Sequence, residues 1–294
     1  MVLICNRSSL TALLLFLTVT WFVPGCSDDA TPPADPQGSG SSTTSADSGS
    51  TDPAAKPAAE DDKLYPPGEQ TEKPFVLEMS PEIKMEFAWI PPGDFMMGNE
   101  TNGLPRHKES VEPFYMGIHE VTQEQWELVM GTNPSLNRGK KYPVERVNWP
   151  DVVKFVDKMN AKYGSSGMKF GVPTEAQWEY ACRGGRMLRV GSSDDKDRIG
   201  EYAWMGGNAK SEPHPVGEKK ANDWGLYDMQ GNIAEFCSDI VKGEGDGVGE
   251  NWRVVRGGNF RGGDSECLST SRFPRREVVP LRQDGLRLMC VKGN

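Results

Sequence analysis

The chain opens with a run in which nearly every position is apolar. Leu10 to Val23 reads LTALLLFLTVTWFV, behind a short region charged by Arg7. A helix needs about 20 residues to cross a bilayer core of ~30 Å, so this run is short for a span and fits a secretory signal. The pattern then inverts. Ser27 to Lys63 contains no Val, Ile, Leu, Met, Phe, Tyr or Trp. Such a segment cannot bury enough surface to offset its ordering entropy, so a disordered tether is expected. Apolar residues return at Leu64 and are steady from Phe75 onward.

From there the pattern predicts short strands and a few helices. Met85 to Met97 reads as strands broken by Pro91-Pro92-Gly93, and Phe114 to His119 as another. Thr122-Gln123-Glu124-Gln125 is a capping box, opening a helix that runs to Met130 and stops at Gly131. Asn148 caps a second helix, with Val152, Val153, Phe155, Val156 and Met159 on its apolar face and Gly164 ending it. Thr174 to Gln177 is a second capping box, for a helix through Ala181 that stops at Gly184-Gly185. After Gly185 no helix is expected, only loops and short extended pieces such as Arg253 to Arg256 and Leu286 to Val291. The fold class is therefore α+β, loop-rich and low in regular structure.

Composition supports this. The 294 residues include 33 Gly and 22 Pro, well above average use, and 8 Trp that can build a core where regular structure is sparse. The net charge of −9 argues against a nucleic-acid binder relying on phosphate contacts. Most of that charge sits in the tether, which carries −6, so the folded part is close to neutral for its size. Arg256-Gly257-Gly258 and Arg261-Gly262-Gly263 read as tight turns. His107, His119 and His214 are scattered, with no HExxH pair.

The signal ends Val23-Pro24-Gly25-Cys26, a small residue directly before a Cys, which looks like a bacterial lipobox. The organisation expected is a signal with lipobox over residues 1–26, a linker over 27–74 and a folded domain over 75–294. Cys26 would carry the lipid, at the cell envelope, and the membrane would be touched through that anchor alone. Export permits disulfides. Cys182, Cys237, Cys267 and Cys290 allow three pairings, and one disulfide of open pairing is expected.

Six segments then occur in a telling order. They are Glu120-Val121-Thr122; Pro143-Val144 with Val147-Asn148-Trp149; Val172 to Ala181 (VPTEAQWEYA); Gly225 to Glu235 (GLYDMQGNIAE); Arg256-Gly257-Gly258-Asn259-Phe260; and Gly285-Leu286-Arg287-Leu288. Together they resemble the sulfatase-modifying-factor family, the formylglycine-generating-enzyme domain, over roughly residues 75–291. The resemblance implies a C-type-lectin-like α+β fold. It also implies copper- and oxygen-dependent oxidation of a sulfatase cysteine to formylglycine, at two cysteines near the chain's end. Two thiolates suit the soft Cu(I) ion. One of those positions is Cys267; the other is Gly262, and the family's Ser and Trp are Asn259 and Ala234 here. Cys237 or Cys290 could supply a second sulfur only if the fold brings one near.

The resemblance also implies a structural calcium ion at Asp228, Gly231, Ile233 and Glu235. Two carboxylates and turn carbonyls give the hard oxygen donors calcium takes. Cys182 falls where the family has a disulfide cysteine, but the partner position is Arg272. Two readings follow. In one the domain is a recognition module whose groove is lined by Trp204, Trp224, Asn259, Arg261 and Arg272, binding an exported protein, peptide or glycan. In the other it is an oxidase of exported sulfatases with Cys267 as the surviving thiol.

Overall fold

In a computed structural model, the described residues are 71–99, 104–184, 198–241 and 251–293. The signal, the lipobox with Cys26 and almost all of the linker lie outside them. Among the described residues no helix is long and apolar enough to cross a membrane. Residues 71–74, assigned above to the linker, are described, and Glu72 bonds Lys292 at 2.7 Å and Tyr115 at 3.5 Å.

The strands are β1 (Phe75–Glu78), β2 (Lys84–Ile90), β3 (Gly93–Asn99), β4 (Leu104–Val111), β5 (Phe114–Gly117), β6 (Met168–Gly171), β7 (Ala234–Ile240), β8 (Trp252–Arg256), β9 (Arg272–Arg276), β10 (Asp284–Gly285) and β11 (Met289–Lys292). The helices are α1 (Gln123–Met130), α2 (Trp149–Tyr163), α3 (Glu175–Arg183) and α4 (Ile199–Tyr202). One sheet has the order β1-β2-β5-β11-β6, a second β10-β7-β8-β9, and β3 and β4 form a hairpin. The second sheet ends on β9, whose middle residue Pro274 lies opposite Val254. Proline has no N–H for a ladder and is tolerated there because β9 is an edge.

The three predicted helices form where their caps stand. Thr122, Asn148 and Thr174 each accept a backbone N–H three residues on and close a capping box. Gly131 and Gly184 take left-handed C-caps. Two expectations need correction. The four-residue α4 follows Gly185, where no helix was expected; it is too short to show a period. The apolar face of α2 is narrower than the pattern suggests. Val152, Phe155 and Met159 are buried, Val156 is half-buried, and Val153, about 100° around the helix from Val152, is 41% exposed.

Trp126 of α1 stacks on Phe155 of α2 with ring centroids 4.8 Å apart. Both belong to a core shared by the first sheet, α1, α2 and strands β7 and β8. A second cluster packs α3 through Trp178 and Tyr180 against Ile90, Phe95, Phe114 and Val254. The loops between Ala203 and Ile233 and after β8 contribute two smaller clusters, one with Ala203 and Cys267 and one with Ala209, Ile233 and Phe260.

Candidate functional site

Cys267 ends a single 3-10 turn, Asp264–Cys267, and is fully buried beside Ile199 and Ala203. Its surroundings are backbone. A Cβ on Gly258, which has φ 71°, would lie 2.7 Å from the Cys267 sulfur and from the Glu266 carbonyl oxygen, so only glycine fits there. Burial pushes the Cys267 thiol up to about 12, against a smaller lowering by the backbone N–H groups of Asn259 and Gly231. It is a thiol at neutral pH, whereas nucleophiles and soft-metal ligands are thiolates.

Among the described residues no second cysteine packs in the cluster of Cys267. All four described cysteines are free and buried, which corrects the expected disulfide. Cys290 packs in the first core, Cys182 and Cys237 in the second, and Cys267 in a separate cluster. Burial raises all of their thiols as well. At Gly262, the position where the resemblance implies the second cysteine, the space is filled by Glu266. A Cβ on Gly262 would meet the Glu266 Oε2 at 2.8 Å. A carboxylate thus takes the space that the family's other cysteine would use, so the donor set here does not fit Cu(I).

The Asp228–Glu235 segment turns through left-handed backbone at Asp228, Gly231 and Asn232, with φ 53°, 78° and 55°. A Cβ on Gly231 would lie 2.2 Å from the Trp204 carbonyl oxygen, so this turn locks against the loop after α4. Asn232 donates to Glu120 Oε2 at 2.8 Å and accepts from the His214 N–H at 2.9 Å. Ile233 N–H donates to Glu120 Oε1 at 3.1 Å.

Glu235, implied above as a calcium ligand, has another role. Its Oε1 accepts from Arg287 Nε and Nη2 at 3.0 and 2.7 Å. Its Oε2 accepts from Arg287 Nε at 3.1 Å and from Trp178 Nε1 at 2.6 Å. Those four bonds use the lone-pair positions of the carboxylate. Asp228 Oδ2 accepts from the Gly217 N–H at 2.7 Å, and its Oδ1 is buried and unpartnered. The two-carboxylate calcium set therefore does not fit: one acid is saturated by a guanidinium and the other has one open oxygen. Among the described residues no group of three or more His, Cys, Asp or Glu could hold a metal ion.

Arg287 is fully buried and also donates to the carbonyls of Gly117 and Tyr227. Burial works against its charge, but Glu235, with Glu120 and Asp228 behind it, outweighs burial and raises its pKa. Burial, and the charges of Asp228 and Glu235, push Glu120 well above the usual carboxylate range. A second buried centre joins Arg256 to Glu179 and to the carbonyls of Ser269, Thr270 and Ser271. Glu120, Arg256 and Arg287 sit in the quoted motifs, but sequence alone gave them no role; for Arg256 and Arg287 the signal was charge at positions flanked by apolar or glycine residues.

The five expected groove residues make their contacts with different parts of the fold. Gly206 N–H donates to the Gly262 carbonyl at 2.8 Å, and Arg261 N–H to Asn259 Oδ1 at 3.0 Å, so Trp204, Asn259 and Arg261 share a neighbourhood with Cys267. Trp204 is covered on its faces, by the His214 ring at 3.7 Å and Lys219 Nζ at 3.9 Å. Asn259 is buried and Arg261 exposed. Trp224 packs edge-on against Tyr180 of α3, and Arg272 grips Glu175 of α3 at 2.7 and 3.0 Å. Arg272 is thus engaged rather than poised for a ligand.

The profile of the sulfatase-modifying factor enzyme 1-like domain matches residues 76–290. The chain belongs to this family. The likeness extends to Treponema denticola variable protein 1, a solved structure 27% identical, with a TM-score of 0.68, over 75% of this chain and 99% of that one. The C-type-lectin-like α+β fold expected above is therefore the fold of this family member. Among curated relatives, chaperone protein LppX of Paenibacillus barcinonensis is 31% identical over 200 residues, 51% of this chain and 70% of that protein. The formylglycine-generating enzyme of Streptomyces coelicolor is 30% identical over 170 residues, 50% of this chain and 51% of that enzyme. The chain thus spans about half of that enzyme's length. In this family member Gly258 packs against the buried Cys267 thiol and Gly262 against the Glu266 side chain.

Proposed function

We propose that this family member is a non-catalytic recognition module, exported and held at the cell envelope by a lipid on Cys26. The observation that carries the reading is the site beside Cys267. The thiol is buried, held protonated, and faced by Glu266 where a second thiolate would stand. The chemistry of formylglycine formation has no soft-metal pair to start from, while the framework that positions the surrounding loops is intact. The exposed Arg261 and half-buried Trp224 remain for binding an exported protein, peptide or glycan, a sulfatase among the candidates. A relative named a chaperone accords with a domain that holds a polypeptide without reacting with it. Function on such a fold resides in the loops and the groups they present.

The test is direct. The full chain is supplied with Cu(I), oxygen and a peptide carrying Cys-x-Pro-x-Arg, and the peptide is read by mass spectrometry. The expected result is an unmodified thiol. An aldehyde product, lost in Cys267→Ala, would overturn the reading and restore the oxidase. For the anchor, labelled palmitate should enter the wild-type chain in a bacterial host and not Cys26→Ala.

A further inference from the structure

Four of the six large hydrophobic residues that the described surface exposes stand on segments that are tied to one another. Leu136 is 54% exposed, Val153 41%, Val278 69% and Val279 40%. They come from three segments, joined by two hydrogen bonds. Trp149 N–H donates to the Glu277 carbonyl at 2.9 Å, which seats the start of α2 beside the turn after β9. Val153 lies one helical turn from Trp149, on the same face. Arg282 Nη2 donates to Asn137 Oδ1 at 2.9 Å, which seats the bend at Leu136 beside the same turn.

The surrounding charge is positive. Arg138, Arg146, Lys154 and Arg276 are exposed. None forms an ion pair among the described residues; Arg276 lies over the Trp252 ring at 5.2 Å. The acids close by are committed. Glu145 is buried and accepts from the Leu136 and Asn137 N–H groups, Glu277 pairs with Arg253, and Asp151 closes the cap of α2. Asp157, a turn beyond Val153, is exposed and bounds the basic area.

We propose that this surface docks onto an anionic lipid bilayer. Aliphatic side chains on bends and turns can enter the headgroup layer, and unpaired cations around them meet anionic lipid, each worth about 1 kcal/mol near such a surface. A fluid surface needs no shape match between residues that stand on a bend, a turn and the first turns of a helix. The use of the surface rests on the envelope reading, although its chemistry does not. The tether that the sequence leads one to expect before residue 71 would keep the domain within roughly 40 Å of its anchor, at ~5–6 Å × √n.

The probe must report the domain rather than the anchor or signal. The full chain carrying Cys5→Ser, Cys26→Ser and Val278→Cys is labelled with an environment-sensitive fluorophore; the four described cysteines are buried and resist the label. It is mixed with vesicles of phosphatidylglycerol and phosphatidylcholine, and with phosphatidylcholine alone. A blue shift is expected only with the anionic vesicles, weakening as salt rises. A label at Lys169→Cys, exposed on β6, should stay unshifted. Arg146→Glu with Arg276→Glu should weaken the response by about tenfold or more, with an unchanged unfolding midpoint. An equal shift on neutral vesicles, or none on anionic ones, would overturn the proposal. So would displacement by soluble polyglutamate, which would point to an acidic polypeptide, or a shift that follows protein concentration without vesicles, which would point to a second copy. Failure here leaves the non-catalytic reading untouched, because no step involves Cys267.

Discussion

Replacing Arg287 by Met should be among the most damaging single changes in the domain. The side chain is fully buried, and its guanidinium makes three bonds to Glu235 and one each to the Gly117 and Tyr227 carbonyls. Methionine fills much of the same volume, so packing loss is modest. The main cost is the Glu235 carboxylate, left buried beside Asp228 and Glu120 with only Trp178 donating to it. Removing one partner of a buried ion pair costs about 3–5 kcal/mol. At roughly 2–4 °C per kcal/mol for a domain of this size, Tm should fall by about 6–20 °C. Urea unfolding and calorimetry on the full chain would measure it. The reasoning makes a sharper claim about the pair. Glu235→Gln placed on top of Arg287→Met removes the stranded charge and should recover part of the loss. If the double variant is less stable than Arg287→Met by the full cost of Glu235→Gln alone, the two residues are uncoupled and the account fails.

Other expectations follow from the same contacts. Trp126→Ala removes an indole stacked on Phe155 in the first core and should cost about 3–5 kcal/mol, read by chemical denaturation; a loss under 1 kcal/mol would contradict the packing. Burial raises the Asp284 carboxyl from 3.8 to about 6, against the pull of Arg275. The fold therefore binds this proton more tightly than the unfolded chain does, so the contribution is whole below about pH 4 and is lost as pH rises through 6. That loss should approach about 3 kcal/mol and vanish in Asp284→Asn, so an unchanged pH slope in the variant counts against it. Gly262→Cys together with Glu266→Ala should give Cu(I) retention against a chromophoric competitor that wild type lacks, and Gly262→Cys alone should give less. EGTA should leave Tm within about 1 °C, because Glu235 is saturated; a clear fall would assign a cation to Asp228 Oδ1.

The helices were legible because their signals are local. Thr122, Asn148 and Thr174 announce their caps three residues ahead, and no distant contact has to agree. The strands between Met85 and Met97 were legible for a similar reason, with Pro91-Pro92 marking the break. The centre around Arg287 was not. Gly117, Tyr227, Glu235 and Arg287 meet across up to 170 positions of chain, and no period in the sequence encodes that meeting. The same holds for the candidate site. Sequence located Cys267 and the missing cysteine at Gly262, but that Glu266 folds back into the gap is a fact of three dimensions. Pairing of Arg272 with Glu175, and the covering of Trp204 by His214 and Lys219, likewise depend on loops whose order is set by remote packing.

The edge strand β9 has one more effect. A sheet border with free amides invites strands from neighbouring molecules to add on, and that is how many β-rich proteins coagulate. Here the middle of the border is an imino acid flanked by Arg272, Phe273, Arg275 and Arg276, so an incoming strand loses a bond and meets like charge from any sister molecule. β9 is therefore a poor template for an added strand from a sister molecule.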